Sequence, residues 1–301
     1  MAPPRADGAP FGRLLTAMVT PMTRDGDVDY DGVQQLAVHL VDRGNDGLVI
    51  SGTTGESPTT SDEEKERLLR SVVEAVGDRA HVVAGVGTND TTHTVELARQ
   101  AEKTGVTGLL VVTPYYSKPP QAGLVEHFTR VAEATGLPSM LYDIPGRSGV
   151  PITTESLLRL AEHDRIVAVK DAKGDLYETT RVLAQTDLAY YSGEDALNLP
   201  LLAIGAVGAV SVVAHVCATQ YAAMIRAVDA GDVAEARRIN AAVLPAVRGI
   251  MTRTQGAIMA KAALELLGVI AARTTRPPLV DATEEQLQLL RADLVEAGLP
   301  L

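Results

Sequence analysis

Tryptophan is absent from the 301-residue chain, phenylalanine occurs twice, and aromatic residues make up only 3% of it. Stacking platforms for nucleic-acid bases and aromatic-walled sugar grooves have few side chains to draw on, so the core must be aliphatic. Cysteine is nearly absent too. The lone Cys217 allows no intrachain disulfide and no cysteine-based zinc site, which suits a reducing compartment, and the chain is expected in the cytoplasm. Basic residues are in deficit: 27 Lys and Arg against 38 Asp and Glu give a formal net charge of −11, which repels phosphate backbones and anionic lipid. Neither nucleic acid nor a membrane is an expected partner. No stretch reaches the ~18 continuous apolar residues of a membrane helix. The Pro-, Ala- and Gly-rich start lacks the apolar core of a secretory signal, and residues 1–12 read as a flexible N-terminus.

What remains is an ordinary soluble balance, 46% hydrophobic and 22% charged. Short apolar, β-branched runs recur at 14–20, 47–51, 81–86, 107–113, 138–142, 166–170, 188–192 and 207–212. Segments of helical character separate them. Residues 61–76 open with a capping box of Ser61 and Glu64, and 175–184 open with an Asp175 and Glu178 pair of the same form. The runs are nearly continuous in apolar residues, as strands are when both faces of a parallel sheet are covered. A Gly-x-x-Gly signature recurs at Gly44/Gly47, Gly105/Gly108 and Gly205/Gly208. In each copy the first Gly stops a helix in a left-handed conformation and the second opens a buried strand.

Eight βα units over about 220 residues imply an α/β fold of the (β/α)8 TIM-barrel type, assigned to residues 13–230. A doubly wound sheet would usually carry a Gly fingerprint after its first strand. The nearest candidate, Gly85-Val-Gly87, has Asp90 where the third Gly would stand, so a dinucleotide site is discounted. Strand signals stop near Ala230, and 232–248, 255–267 and 283–297 read as amphipathic helices of a C-terminal helical extension, 231–301. A Thr283/Gln286 capping box starts the last of them. These helices could pack on the barrel wall or on another subunit.

In such a barrel, polar residues placed where an apolar run stops are the catalytic candidates. After the second run comes Ser51-Gly-Thr53-Thr54-Gly-Glu56, a tight turn whose amides and hydroxyls can converge on a carboxylate or phosphate. A Gly-rich turn with no ligand is the other reading. Tyr115-Tyr116 follow the fourth run, and Tyr142-Asp-Ile-Pro-Gly-Arg147 ends the fifth. A strand-end tyrosine can relay protons and a loop arginine can fork a carboxylate, although paired tyrosines also serve in packing and loop arginines also stand in solvent. Lys170 ends the sixth run. There it either merely terminates a strand or points into an apolar barrel mouth, where desolvation frees the amine to attack a carbonyl. Asp171 alternates to the other face and is given no catalytic role. The six histidines show no metal-binding spacing, and no Gly-x-Ser-x-Gly elbow is present, so no metal is expected.

Taken in order, Gly52-Thr-Thr-Gly-Glu56, Tyr115-Tyr116, Tyr142-x-x-Pro-x-Arg147 and Lys170-Asp-Ala172 resemble the dihydrodipicolinate synthases, also called 4-hydroxy-tetrahydrodipicolinate synthases. These belong to the pyruvate-dependent class I aldolase superfamily, and the likeness is greatest to actinobacterial members. It extends from Thr16-Ala-Met-Val-Thr-Pro21 through Tyr191-Ser-Gly-Glu-Asp195 and Gly208-Ala-Val-Ser211 into the helical tail. The resemblance implies a lyase that joins pyruvate to L-aspartate 4-semialdehyde, an early step of diaminopimelate and lysine biosynthesis. It implies that Lys170 forms the Schiff base with pyruvate, that Tyr142 gives and takes protons, and that Thr53 and Tyr116 connect Tyr142 to solvent. Tyr116 would come from a neighbouring subunit. Thr54 would hold the pyruvate carboxylate, Val210 would line the site with its carbonyl, and Arg147 would receive the semialdehyde carboxylate. A homotetramer, a dimer of dimers, without metal or organic cofactor is the implied assembly.

The sequence departs from that pattern in places. Asp143 and Asp171 stand where several members carry Asn and Glu, changes that keep polarity and are expected to keep activity. Where lysine-inhibited members carry two histidines and a glutamate, this chain has Asp62, Lys65 and His93, so feedback by lysine is expected to be weak or absent. Another pyruvate lyase, acting on N-acetylneuraminate or a keto-sugar acid, would tend to have Ser in place of Thr53 and to lack Arg147. A keto-acid sensor on the same barrel would be expected to lack Lys170 or Tyr142.

Overall fold

The computed structural model describes residues 8–300. Its eight apolar runs form β1 (Leu14–Ala17), β2 (Gly47–Ile50), β3 (His81–Gly85), β4 (Gly108–Val112), β5 (Ser139–Asp143), β6 (Ile166–Asp171), β7 (Ala189–Ser192) and β8 (Gly208–Ser211). All pair in parallel with their chain neighbours, and β8 closes on β1. The strands are the expected runs trimmed at their ends, except that β5 and β6 each run one residue further, to Asp143 and Asp171. Side chains alternate between two apolar layers. Leu15, Val49, Val83, Leu110, Met140 and Tyr191 fill the barrel interior, while Leu14, Leu48, Val82, Leu109, Leu141 and Tyr190 pack outward.

Around the barrel run α1 (Tyr30–Asp42), α2 (Asp62–Val76), α3 (Thr91–Glu102), α4 (Gln121–Glu133), the single turn α5 (Pro145–Ser148) and α6 (Thr154–Leu160). They are followed by α7 (Leu176–Leu183), α8 (Asn198–Ala203) and α9 (Ala214–Asp229). The Ser61/Glu64 capping box is formed in full. At α7 only half of the expected box exists: Asp175 accepts from the Glu178 amide, but the Glu178 carboxylate turns to Thr154 and Arg181 instead.

The Gly-x-x-Gly joints follow from sterics. Gly44, Gly105 and Gly205 have φ of +99°, +88° and +113°, a region closed to most side chains. At the strand starts a Cβ on Gly108 would overlap the Phe11 ring, and one on Gly208 would overlap the Arg13 carbonyl.

That Phe11 contact corrects the expectation of a flexible segment over 1–12. Residues 1–7 lie outside the described part, but Ala9 is buried and Phe11 is wholly enclosed, stacked edge-on against His81. The Tyr191 hydroxyl accepts from the Phe11 amide at 3.2 Å and donates to the Gly12 carbonyl at 2.9 Å. Phe11 thus packs with the inner layer at the end of the barrel where the strands begin.

Beyond the barrel lie α10 (Val233–Val247), a π-helical turn at Arg248–Thr252, α11 (Gly256–Leu266) and α12 (Glu284–Glu296). The last begins with the expected Thr283/Gln286 box. Ile239, Val243, Ala246, Ile258 and Leu290 join the same apolar cluster as the barrel's outer layer, so these helices pack on their own barrel through α9. Buried Asp293 pins α12 to the π-helical turn by accepting from Arg248 at 2.8 Å and Arg253 at 3.0 Å. Among the described residues, no helix is long and apolar enough to cross a membrane.

Candidate active site

Register places the two central residues side by side. Tyr142 on β5 pairs with Lys170 on β6, and strand alternation turns both side chains into the barrel. Both are buried, and the Lys170 Nζ stands 4.1 Å from the centre of the Tyr142 ring. Room for the lysine chain exists because residue 193 is glycine: a Cβ there would come within 2.8 Å of Lys170 Cγ. Burial drives the lysine pKa down to about 7, the Arg147 charge adds to that, and Asp195 and Glu194 oppose it. Burial also pushes the Tyr142 hydroxyl up to about 12, against Arg147 and with Glu194, so the phenol keeps its proton.

Above this pair opens a cavity of about 440 Å³ at the C-terminal ends of the strands. Lys170, Tyr142, Thr53, Thr54, Tyr116 and Arg147 all face it. Thr53 and Thr54 belong to a turn that folds on itself: the Glu56 amide donates to the Thr53 carbonyl at 3.1 Å and the Ser57 amide to Gly52 at 3.2 Å. The Thr20 hydroxyl ties the turn to the barrel by donating to the Gly55 carbonyl at 2.7 Å. Ser51 and Glu56 both carry φ of +58°, a conformation costly for residues with a Cβ that persists where surroundings enforce it. The Ser51 hydroxyl is buried without a protein partner.

Arg147 sits on α5, held by the preceding Ile144-Pro145 bend, and is exposed. Among the described residues its guanidinium makes no ion pair, so the fork is free for an incoming anion. Tyr115 and Tyr116 stand on the cavity rim. Tyr116 is 89% exposed on a left-handed backbone, φ +74°. Thr113 braces β5 from beneath: its amide and hydroxyl both donate to the Tyr142 carbonyl at 3.0 Å. The Val210 side chain lies in the inner apolar layer below the cavity, and it is Val212 that reaches the wall.

Asp171 and Asp143 face away from the cavity, as alternation requires. Asp171 accepts from the Lys173 and Gly174 amides and from the Thr179 hydroxyl, which fixes the loop after β6. Asp143 accepts from the Ile152 amide at 3.1 Å, with Lys173 Nζ at 3.6 Å. Burial raises its pKa to about 6 despite Lys173. On the outside of the barrel, Asp62, Lys65 and His93 meet as expected. Asp62 lies 2.9 Å from His93 Nε2 and 3.4 Å from Lys65 Nζ.

Comparison with known proteins assigns the chain to a family. Residues 10–297 match the model of the Dihydrodipicolinate synthetase family. The chain belongs to that family. A 4-hydroxy-tetrahydrodipicolinate synthase of Kineococcus radiotolerans is 69% identical over 290 residues, 96% of this chain and 94% of the relative. The 4-hydroxy-tetrahydrodipicolinate synthase 2 of Streptomyces coelicolor is 62% identical over 301 residues, 100% of both chains. Among solved structures, the dihydrodipicolinate synthase of Cyanidioschyzon merolae with lysine bound superposes with a TM-score of 0.94 at 43% identity, over 97% of this chain and 99% of that one.

Several residues of this family member's site escape a reading of the sequence. Buried Asp195 accepts from the Val212 amide at 2.9 Å, the Val213 amide at 3.1 Å and the Ser211 hydroxyl, so one carboxylate shapes the loop after β8. Met251, Gln255 and Gly256, from the segment before and at the start of α11, complete the cavity wall. The available signal was a glycine-flanked break between the first two extension helices, which marks a loop without marking a site.

Proposed function

We propose that Lys170, Tyr142, Thr53 and Tyr116 carry the chemistry of this enzyme and that Thr54, Arg147 and the backbone carbonyl of Val210 position its substrates. The reaction is the condensation of pyruvate with L-aspartate 4-semialdehyde to 4-hydroxy-tetrahydrodipicolinate, an early step of diaminopimelate and lysine biosynthesis, and the enzyme is a lyase. The observation that carries the assignment of roles is a buried lysine with its pKa near 7, set against a protonated tyrosine beneath a cavity with an unpaired arginine.

The neutral Lys170 amine adds to the ketone of pyruvate, and loss of water leaves a protonated imine. That cation withdraws electrons, so a proton leaves the pyruvate methyl group and an enamine forms. The enamine carbon then attacks the aldehyde, whose oxygen takes a proton. The semialdehyde's own amine closes on the imine carbon and expels Lys170, which regenerates the free amine. Tyr142 holds the proton needed at each addition and elimination, and Thr53 with Tyr116 connects it to solvent. Thr54 and the amides of its turn take the pyruvate carboxylate, while Arg147 takes the semialdehyde carboxylate. In a protein of net charge −11 these are local attractions against the global field.

The exposure of Tyr116 supports its reaching into a second copy of the chain, and the proposed assembly is a homotetramer, a dimer of dimers. The cytoplasm is the proposed compartment, in keeping with the single, buried Cys217. Thr53 and Arg147 together disfavour N-acetylneuraminate or a keto-sugar acid as substrate.

The test is pyruvate consumption followed by NMR in parallel samples with aspartate 4-semialdehyde, N-acetylmannosamine and short sugar aldehydes. Consumption with the semialdehyde alone is expected. Consumption with a sugar aldehyde instead would move the chain to another pyruvate lyase, and no consumption in any sample would indicate a sensor.

A further inference from the structure

A buried ion pair joins two walls of the cavity. Glu56 ends the Thr53-Thr54 turn, and Lys261 lies on α11, whose first residues also line the cavity. Their side chains are 1% and 0% exposed and form a direct salt bridge. Both carboxylate oxygens are engaged: Lys261 takes Oε1, and the Arg276 amide donates to Oε2 at 2.9 Å. Lys261 also donates to the Thr274 carbonyl at 2.6 Å. The Arg276 guanidinium then clasps Glu64 with two bonds of 2.7 and 2.6 Å and donates to the Gly26 and Thr59 carbonyls at 2.8 Å each.

Such a pair is a poor source of stability. Taking two charges out of water is costly, and apolar residues of the same volume would often serve as well. What the pair does supply is a fixed position for Glu56, which sits two residues beyond Thr54 in a left-handed conformation that a residue with a Cβ resists. We propose that Glu56 and Lys261 are positioning residues: the ion pair holds the Thr53-Thr54 turn in the geometry that receives the pyruvate carboxylate. This rests on the reading of Thr54 given above. The C-terminal extension is thereby part of the pyruvate subsite without touching pyruvate.

The test uses the full-length enzyme and four variants: Glu56→Gln, Lys261→Met, the double variant and Thr54→Val. Kinetics are run against pyruvate and semialdehyde separately, with thermal unfolding alongside. Glu56→Gln is expected to raise the pyruvate KM about tenfold and to lower kcat through Thr53, while the semialdehyde KM stays put. A merely structural role would reduce the folded fraction, lowering apparent kcat with both KM values unchanged, and that result overturns the proposal. Lys261→Met leaves a buried carboxylate unpaired and can fail to fold. The double variant removes both charges and is expected to recover thermal stability but not the pyruvate KM. Recovery of both overturns the proposal. Thr54→Val separates the two claims. If it raises the pyruvate KM and Glu56→Gln does not, the positioning role alone fails. If Glu56→Gln raises it and Thr54→Val does not, the positioning role stands and the Thr54 reading fails. If neither variant raises it, both fail.

Discussion

Lys170 Nζ lies 4.1 Å from the ring centre of Tyr142, its register partner on the neighbouring strand. One group must lose its proton before the reaction begins and the other must keep its own, and a single buried environment moves the two pKa values in opposite directions, to about 7 and about 12. Burial disfavours the charged form of each: ammonium for lysine, phenolate for tyrosine.

The pH dependence follows in sign. Only the neutral amine attacks, so kcat/KM for pyruvate is expected to fall tenfold per unit below about pH 7 and to level off above it. Arg147 helps to depress the lysine, so Arg147→Ala moves this limb to higher pH. Profiles of both proteins across roughly pH 5.5–9 check it; a limb that does not move would show that Arg147 has no hold on the lysine.

Arg147→Ala has a second effect. Loss of a charge-assisted fork costs about 1.5–3 kcal/mol, or roughly ten- to a hundredfold in the semialdehyde KM. The pyruvate KM, measured on the alkaline plateau, is expected to change little. Equal rises in both constants would contradict the assignment of the two carboxylates to separate residues.

Inhibition by lysine is expected to be weak or absent. Burial pulls the Asp62 pKa up, but hydrogen bonds and charges of His93 and Lys65 outweigh it and hold the carboxylate ionised and engaged. An incoming ammonium group would meet Lys65 beside it. Steady-state rates with added lysine test this, and half-inhibition below about 1 mM would contradict it.

Asp143→Asn is expected to retain activity and gain stability. The fold raises the Asp143 pKa from 3.8 to about 6, so the folded state binds the proton more tightly. Its contribution is present below the unfolded value and is lost as pH rises towards 6. Asparagine has nothing to lose over that window. The difference in Tm between variant and parent should widen from about pH 4 to 6, by on the order of a few degrees, and then stay constant. A flat difference would place the titration elsewhere.

How much of this was legible in the sequence depended on how local each signal is. The strands were plain because both of their faces are buried, which leaves unbroken apolar runs such as Gly108–Val112. Lys170, Tyr142 and the Thr53-Thr54 turn stood out because each is a polar interruption at the end of such a run. Phe11 did not, since nothing near it in the chain announces that it caps the barrel. The Glu56 and Lys261 pair spans 205 positions, and only a charge inside the apolar run of α11 hinted that a partner was needed. The side-chain bonds of Asp195 likewise emerge only when β7 and β8 lie side by side.

The central claim is that Lys170 is the amine that joins pyruvate. Incubating the enzyme with pyruvate and borohydride, then locating the reduced adduct by peptide mass spectrometry, tests it most directly. The account predicts one pyruvate-derived adduct per chain, on Lys170, and none in Lys170→Ala. An adduct on another lysine, or none on the active parent enzyme, would contradict it.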